Sequence, residues 1–343
     1  MRFGDVDCCE AGRFTGFIDF SASPFALGDI LTWNVRVCCE ALIAGKHTVD
    51  VVALTDPEML GNAYQNFITR NNLLTVYLDL SLAFYANPLL NSFNHLRDRK
   101  SFERLMQTAH RDDQPMFPGV AEYRAGLRAR NALYSSHLVM NRFFREYGYL
   151  PKLKVPHAHR AFADGFLKSY GPDVFAVAVH VRRRAADAQA MFGATLERDG
   201  DYEVWEAFFD EARRRHPETV FVVLGKGAEW SRRLLRNKSL IFLKCLGFGL
   251  MDELATIQAS DLFMGLLSGP STMAFFSDTP YALFVQQSYA QTTAEVVGVE
   301  QGAACLPFAG ENQTLLWRQP TLENLLEAFE DKFAALRSQE SPR

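Results

Sequence analysis

Hydrophobic residues fall along this chain in two ways. Some form short unbroken runs; others recur every three or four positions in longer, more polar stretches. The runs predict buried strands and the recurrences predict helices. In the first half, Phe17-Ile18-Asp19-Phe20 reads as a short strand and Ser21 to Gly28 as a loop. A helix is predicted from about Asp29 to Ala44, with Asp29 at its N-cap and Ile30, Leu31, Val35, Leu42 and Ile43 among its apolar positions. Thr48 to Leu54 reads as the next strand, closed by Thr55-Asp56-Pro57. Residues 58–147 read as mostly helical, with a strand-like apolar run at Leu73–Leu78.

The second half has a clearer rhythm. Val174 to Val181 is a nearly continuous apolar run that ends in His180 and three arginines. Tyr202 to Arg215 reads as a helix, capped by Asp201 and stopped by Pro217. Val220 to Leu224 is a predicted strand, followed by Gly225-Lys226-Gly227 and a helix to about Arg236. Strands at Leu240–Leu243, Asp261–Leu267 and Tyr281–Val285 alternate with helices near Met251–Ala259 and after Ser268-Gly269-Pro270-Ser271. A final helix spans about Leu322 to Leu336.

Buried runs separated by helices imply an α/β protein whose parallel sheets are covered on both faces. The stretch from Gly148 to Pro172 is rich in Pro, Lys and His and reads as a linker. The expectation is two Rossmann-like domains: an N-terminal one over 1–160, and a C-terminal one over 161–343 with a closing helix. A ligand is then expected at the carboxyl ends of the strands, in the cleft between the halves.

Composition narrows the classes. With 343 residues, 48% of them hydrophobic, the chain can build two cores and is not intrinsically disordered. A net charge of -4 argues against a dedicated nucleic-acid binder. The six cysteines form two vicinal pairs and two singletons, neither a disulfide framework nor a CxxC zinc site, so free thiols and a cytoplasmic location are expected. The longest apolar segment, Leu73 to Leu90, is interrupted by Asp79 and Asn87, so no membrane span is expected.

Several constellations can carry chemistry. His180-Val181-Arg182-Arg183-Arg184 ends a buried strand, where guanidinium forks match phosphate oxygens. Ser268-Gly269-Pro270-Ser271-Thr272 lies between a strand and a helix, where glycine permits close approach and free N–H groups attract an anion. Lys226 sits in a glycine turn of the same half and can add a point charge; an exposed lysine in a plain turn is an equal reading. Together these residues point to a pyrophosphate site. Asp29 is either a helix cap or a general base for a hydroxyl. Asp199-Gly200-Asp201 has the form of a metal-binding DxD, but reads better as the cap of the following helix. His157 and His159 read as polar linker residues. Residues 121–160 hold eight Lys or Arg against two Glu, either a solvated helix face or a surface for an anionic acceptor or a membrane.

The chain resembles the GT-B glycosyltransferases. Ala26-Leu27-Gly28-Asp29-Ile30-Leu31-Thr32 is similar to the start of the ADP-heptose:lipopolysaccharide heptosyltransferases. Met251-Asp252-Glu253-Leu254, Asp261 to Gly265 and Ser268-Gly269-Pro270 resemble their donor segment. His180-Val181-Arg182-Arg183 resembles the first peptide motif of fucosyltransferases. The resemblance implies an inverting, metal-independent transfer of a sugar, a fucose or a heptose, from a GDP- or ADP-linked donor. The acceptor would be a hydroxyl of a glycan, a lipid-linked sugar or a protein. It implies that Asp29 is the base, that the segment 268–272 binds the donor diphosphate, and that the 182–183 arginine pair contacts it. Heptosyltransferases carry an acidic residue where this chain has Leu267, and fucosyltransferases place Asp sooner after the arginine pair. The sugar therefore stays open, and a non-catalytic sugar-nucleotide or glycan-binding protein of the same fold is the alternative.

Overall fold

The structure is a computed structural model that describes residues 12–20, 26–56, 73–129, 137–182, 199–225 and 230–339. The chain divides into two compact units, Met1–Lys154 and Val155–Arg343.

The first unit is built on a four-stranded parallel sheet of β1 (Arg13–Asp19), β2 (Thr48–Leu54), β3 (Leu90–Leu96) and β4 (Met116–Phe117), in the order β3-β2-β1-β4. Helix α1 (Leu27–Ile43) lies directly on β1 because Gly16 leaves room for it. A Cβ at that glycine would come within 2.7 Å of Val37 and 2.8 Å of Trp33. α1 is buried from Ile30 to Cys39, so packing rather than a cap holds it. Its N-cap, Ala26, makes no side-chain hydrogen bond, and Asp29 falls inside the first turn instead of at the cap. The other face is covered by α3 (Arg99–Arg111) and α4 (Val120–Ala129), whose Phe102, Met106 and Tyr123 pack against Phe17, Val52 and Leu54.

The apolar run at 73–78 is not a strand. It forms α2 (Leu73–Leu80), which continues into a 3-10 turn over Ser81–Ala86. A short apolar run has no period that separates a buried strand from a helix, and packing decides. Here Phe84 fits edge-on to Trp33 and stacked on Phe93, which holds the segment against α1 and β3. Helix α5 (Leu138–Tyr147) closes the unit.

The second unit carries a six-stranded, wholly parallel sheet. Its strands are β5 (Phe175–His180), β6 (Thr219–Val223), β7 (Leu240–Phe242), β8 (Leu262–Leu266), β9 (Tyr281–Phe284) and β10 (Gln313–Leu316). Their order is β10-β9-β8-β5-β6-β7. Helix α7 (Tyr202–Arg215) has the predicted span, and the Asp201 carboxylate accepts from the Glu203 N–H at 2.9 Å, so this aspartate caps as its sequence suggests. α7 and the last helix, α12 (Leu322–Gln339), enclose an aromatic core of Phe175, Phe208, Phe221 and Phe329. The remaining helices are α8 (Arg232–Arg236), α9 (Leu250–Ala259), α10 (Gly269–Phe275) and α11 (Ala290–Val297).

The boundary between units falls at 154/155, six residues before the predicted 160/161. The predicted linker contains a helix, α6 (His157–Lys168), which packs on α9. His159 Nδ1 lies 2.8 Å from Asp252, and the Val155 N–H donates to Gln258 at 3.1 Å. Of the residues that suggested a linker, His157 and Lys168 are exposed on this docked helix, His159 faces α9, and Pro151, Lys152 and Lys154 lie in the extended stretch before it.

Candidate functional site

In both sheets the chain winds outward on one side of the first strand, then returns to its other side. The second sheet runs β5 to β6 to β7, then restarts with β8 beside β5. The carboxyl ends of β5 and β8 therefore flank a topological switch point, where open parallel sheets bind ligands.

His180 is the last residue of β5, 5% exposed, and pairs in register with Gly265 of β8. A Cβ on Gly265 would sit 2.5 Å from the His180 carbonyl oxygen, so glycine is what lets the strands close at this end. Beyond this pair the two segments leave the sheet. One continues through Val181 to Arg182, half-buried, whose carbonyl accepts from the Gly200 N–H at 2.8 Å. The other enters the turn into α10. There the Ser271 hydroxyl accepts from the Ser268 N–H at 2.9 Å and donates to the Ser268 carbonyl at 2.7 Å. Ser271 and Thr272 are buried, with Gly269 and Pro270 between them and the cap. The Ser268 hydroxyl oxygen is buried and has no hydrogen-bond partner among the described residues. α10 is only seven residues long, so its dipole is small and fixed hydroxyl and guanidinium donors matter more.

A third segment of the chain reaches this edge from β6. Gly225, at φ 115°, has the left-handed backbone that glycine adopts without strain. Its N–H donates to Glu253 Oε1 at 2.9 Å, and Lys244 Nζ lies 3.4 Å from Glu253 Oε2. Burial pushes the Glu253 carboxyl above its usual range, against the pull of Lys244, the Gly225 N–H and His180. Glu253 thus braces the Gly225 turn from beneath. The sequence singled out its segment, but not this role, because nothing local marks a glutamate as buried. Arg183 and Lys226 lie outside the described residues, as does Gly227.

Asp29 belongs to the other unit, in the first turn of α1, where a carboxylate suits the helix dipole. At the end of β1, where α3 and α4 meet the sheet, lies a charged cluster that sequence reading missed. Asp19 is fully buried and accepts from Arg99 at 2.7 and 3.3 Å and from the Tyr123 hydroxyl at 2.9 Å. Arg99 Nε also reaches Asp56 at 3.3 Å. The one hint in the sequence is an aspartate closing an otherwise apolar strand.

No family model and no curated protein matches this sequence. Solved structures do match its fold across nearly the whole chain. The ADP-heptose lipopolysaccharide heptosyltransferase II of Escherichia coli is 9% identical, with a TM-score of 0.52, over 95% of this chain and 99% of that one. A glycosyltransferase of family 9 from Veillonella parvula is 10% identical, with the same TM-score of 0.52, over 97% and 91%. The fold is GT-B. Two parallel, separately wound sheets in one chain agree with that architecture, and the likeness is one of fold. Within the GT-B frame, His180, Arg182 and the 268–272 turn share one sheet end in the second unit, whereas Asp29 stands in the first.

Proposed function

We propose that the protein is a glycosyltransferase that moves a sugar from a nucleoside-diphosphate donor, ADP- or GDP-linked, to a hydroxyl acceptor with inversion. The observation that supports this best is the convergence of Arg182 and the Ser268 turn at the switch point between β5 and β8, with the Ser268 hydroxyl buried and unsatisfied among the described residues. A buried polar group without a partner is costly, and a phosphate oxygen would satisfy it. Arg182, with Arg183 and Lys226, would hold the diphosphate in place of a divalent metal and stabilise the charge that develops on it as the bond to the sugar breaks. Asp29 would take the proton from the acceptor hydroxyl, whose oxygen forms the new bond to the anomeric carbon as the electron pair of the old bond leaves with the diphosphate. The acceptor is a glycan or lipid-linked hydroxyl.

The test is thermal stability against ADP, GDP, UDP, CMP and dTDP, each with and without magnesium. A ligand at about 100 times its Kd adds roughly 2.7 kcal/mol, a rise of a few degrees for a chain of this size. ADP or GDP should stabilise the protein in EDTA, and the one that does identifies the donor base. Arg182→Ala should abolish the shift. Asp29→Asn should keep it while turnover falls by about 10²–10⁴. A fully active Asp29→Asn enzyme would refute the base; no response to any nucleotide would refute the donor site.

A further inference from the structure

Between Leu73 and Asn94 the sequence carries one formal charge, Asp79. This stretch gives no strand until β3, and the donor site does not use it. Folding divides α2 and the 3-10 turn after it into two sides. Tyr77, Ser81, Ala83, Phe84 and Ala86 are buried, with Tyr77 stacked on His95 and the Ala83 carbonyl held by Asn34 at 2.8 Å. Leu78, Leu82 and Tyr85, spaced by four and three residues, stand outward at 58%, 36% and 47% exposure. Half-buried Asp79 is the charge nearest to them in the chain. An outward row of this kind, in a segment already anchored by its other side, is not core that failed to fold.

What borders the row says what covers it. The extended stretch before the unit boundary runs alongside the 3-10 turn, with the Lys154 N–H donating to the Ala86 carbonyl at 2.9 Å. In that stretch Leu150, Leu153 and Val155 point inward, whereas Lys152 and Lys154 are exposed, as is Tyr149 at 49%. From Arg142 to Lys154 the sequence holds four basic residues and one acidic. Protein interfaces are depleted in lysine at their cores, whereas a membrane interface accepts leucine below, tyrosine at the headgroups and lysine reaching to phosphate.

We propose that Leu78, Leu82 and Tyr85, bordered by Lys152 and Lys154, form a docking face for an anionic lipid bilayer. The apolar side chains enter the boundary between headgroups and acyl chains, and the lysines pair with lipid phosphates. This stands apart from the donor reading, since it rests on the first unit alone and concerns no nucleotide.

The experiment is flotation of the full chain with vesicles of phosphatidylcholine, alone or mixed with phosphatidylglycerol. The protein should float with the mixed vesicles, and less well as salt is raised. Leu78→Glu/Tyr85→Glu and Lys152→Glu/Lys154→Glu should each weaken that binding by about tenfold or more. Both pairs are exposed, so circular dichroism and the nucleotide response should stay unchanged; if the first pair disturbs folding, the lysine pair still tests the face. Equal binding of wild type and both variants, or no binding of the wild type, overturns the proposal. So does a wild-type dimer that Leu78→Glu/Tyr85→Glu converts to monomer, because the row would then be a contact between copies.

Discussion

The two units share a plan and differ in what they do with its open end. Each is a parallel sheet with a switch point beside its first strand. In the first unit that end holds Asp19, Arg99, Asp56 and Tyr123, which bond to one another at 2.7 to 3.3 Å. In the second it holds Arg182, the Gly225 turn braced by Glu253, and a serine turn with a buried hydroxyl that no described residue satisfies. One end is bonded mostly within itself; at the other, one buried hydroxyl has no partner among the described residues. The same topology can therefore make a rigid platform or a receptor, and the difference lies in which polar groups find partners inside the protein.

The largest test of this contrast is Arg99→Met. Removing one member of a buried ion pair leaves the Asp19 charge uncompensated, so the first unit should lose about 3–5 kcal/mol, read by urea unfolding at Trp33. Trp33 is the one tryptophan of that unit, since the other three of the chain's four lie at 205, 230 and 317. The nucleotide response of the surviving folded fraction should not change; a full-strength fold with a lost nucleotide response would reverse the assignment of platform and receptor.

Acid should separate the units next. Burial holds His137 down to about 4, and burial with Arg97 holds His95 down to about 4 as well. Both folded values lie below the unfolded one near 6.5, so the unfolded chain binds the extra protons. Their contribution is complete above pH 6.5 and is lost as pH falls from 6.5 to 4, on the order of 3 kcal/mol for fully buried His137. Glu253 in the second unit is raised and works in the opposite sense: its contribution is present below about 4.5 and is lost as pH rises through its folded value. Trp33 fluorescence should thus report acid unfolding that His137→Gln flattens. A Trp33 signal as stable at pH 5 as at pH 7 would remove the buried neutral histidines from the account.

The smallest effect separates a ligand donor from a structural cap. Ser268→Ala deletes a hydroxyl with no partner among the described residues, so the unliganded protein should be unchanged or slightly more stable. Nucleotide affinity should fall by roughly 1 kcal/mol, about fivefold. A loss of unliganded stability with intact affinity would make Ser268 an ordinary cap.

Much of this was legible in the chain, though unevenly. The α7 helix was found at its observed bounds because its cap, its stop and the inward row of Tyr202, Trp205, Phe208 and Phe209 all agree. The switch-point strands β5 and β8 were legible because both are buried on both faces, and buried parallel strands read as unbroken apolar runs. β3 escaped notice because its sequence, Leu-Asn-Ser-Phe-Asn-His-Leu, is that of a half-exposed edge strand, and β4 is only two residues long. The turn at 268–272 and the arginine after β5 could be named from local pattern, yet their adjacency depends on β8 returning beside β5 rather than beyond β7.

The sequence by itself determined the α/β class, the second unit's alternation of strands and helices, and the residue types able to hold a diphosphate, because each is written in neighbours a few positions apart. Tertiary structure alone decided that residues 73–80 are a helix, that the linker contains a docked helix, that Asp19 is paired with Arg99 and Tyr123, and that the Ser268 hydroxyl is not satisfied by any described residue. Those outcomes depend on which distant side chains meet. Short-range pattern encodes propensity, and only packing determines which buried polar groups find partners.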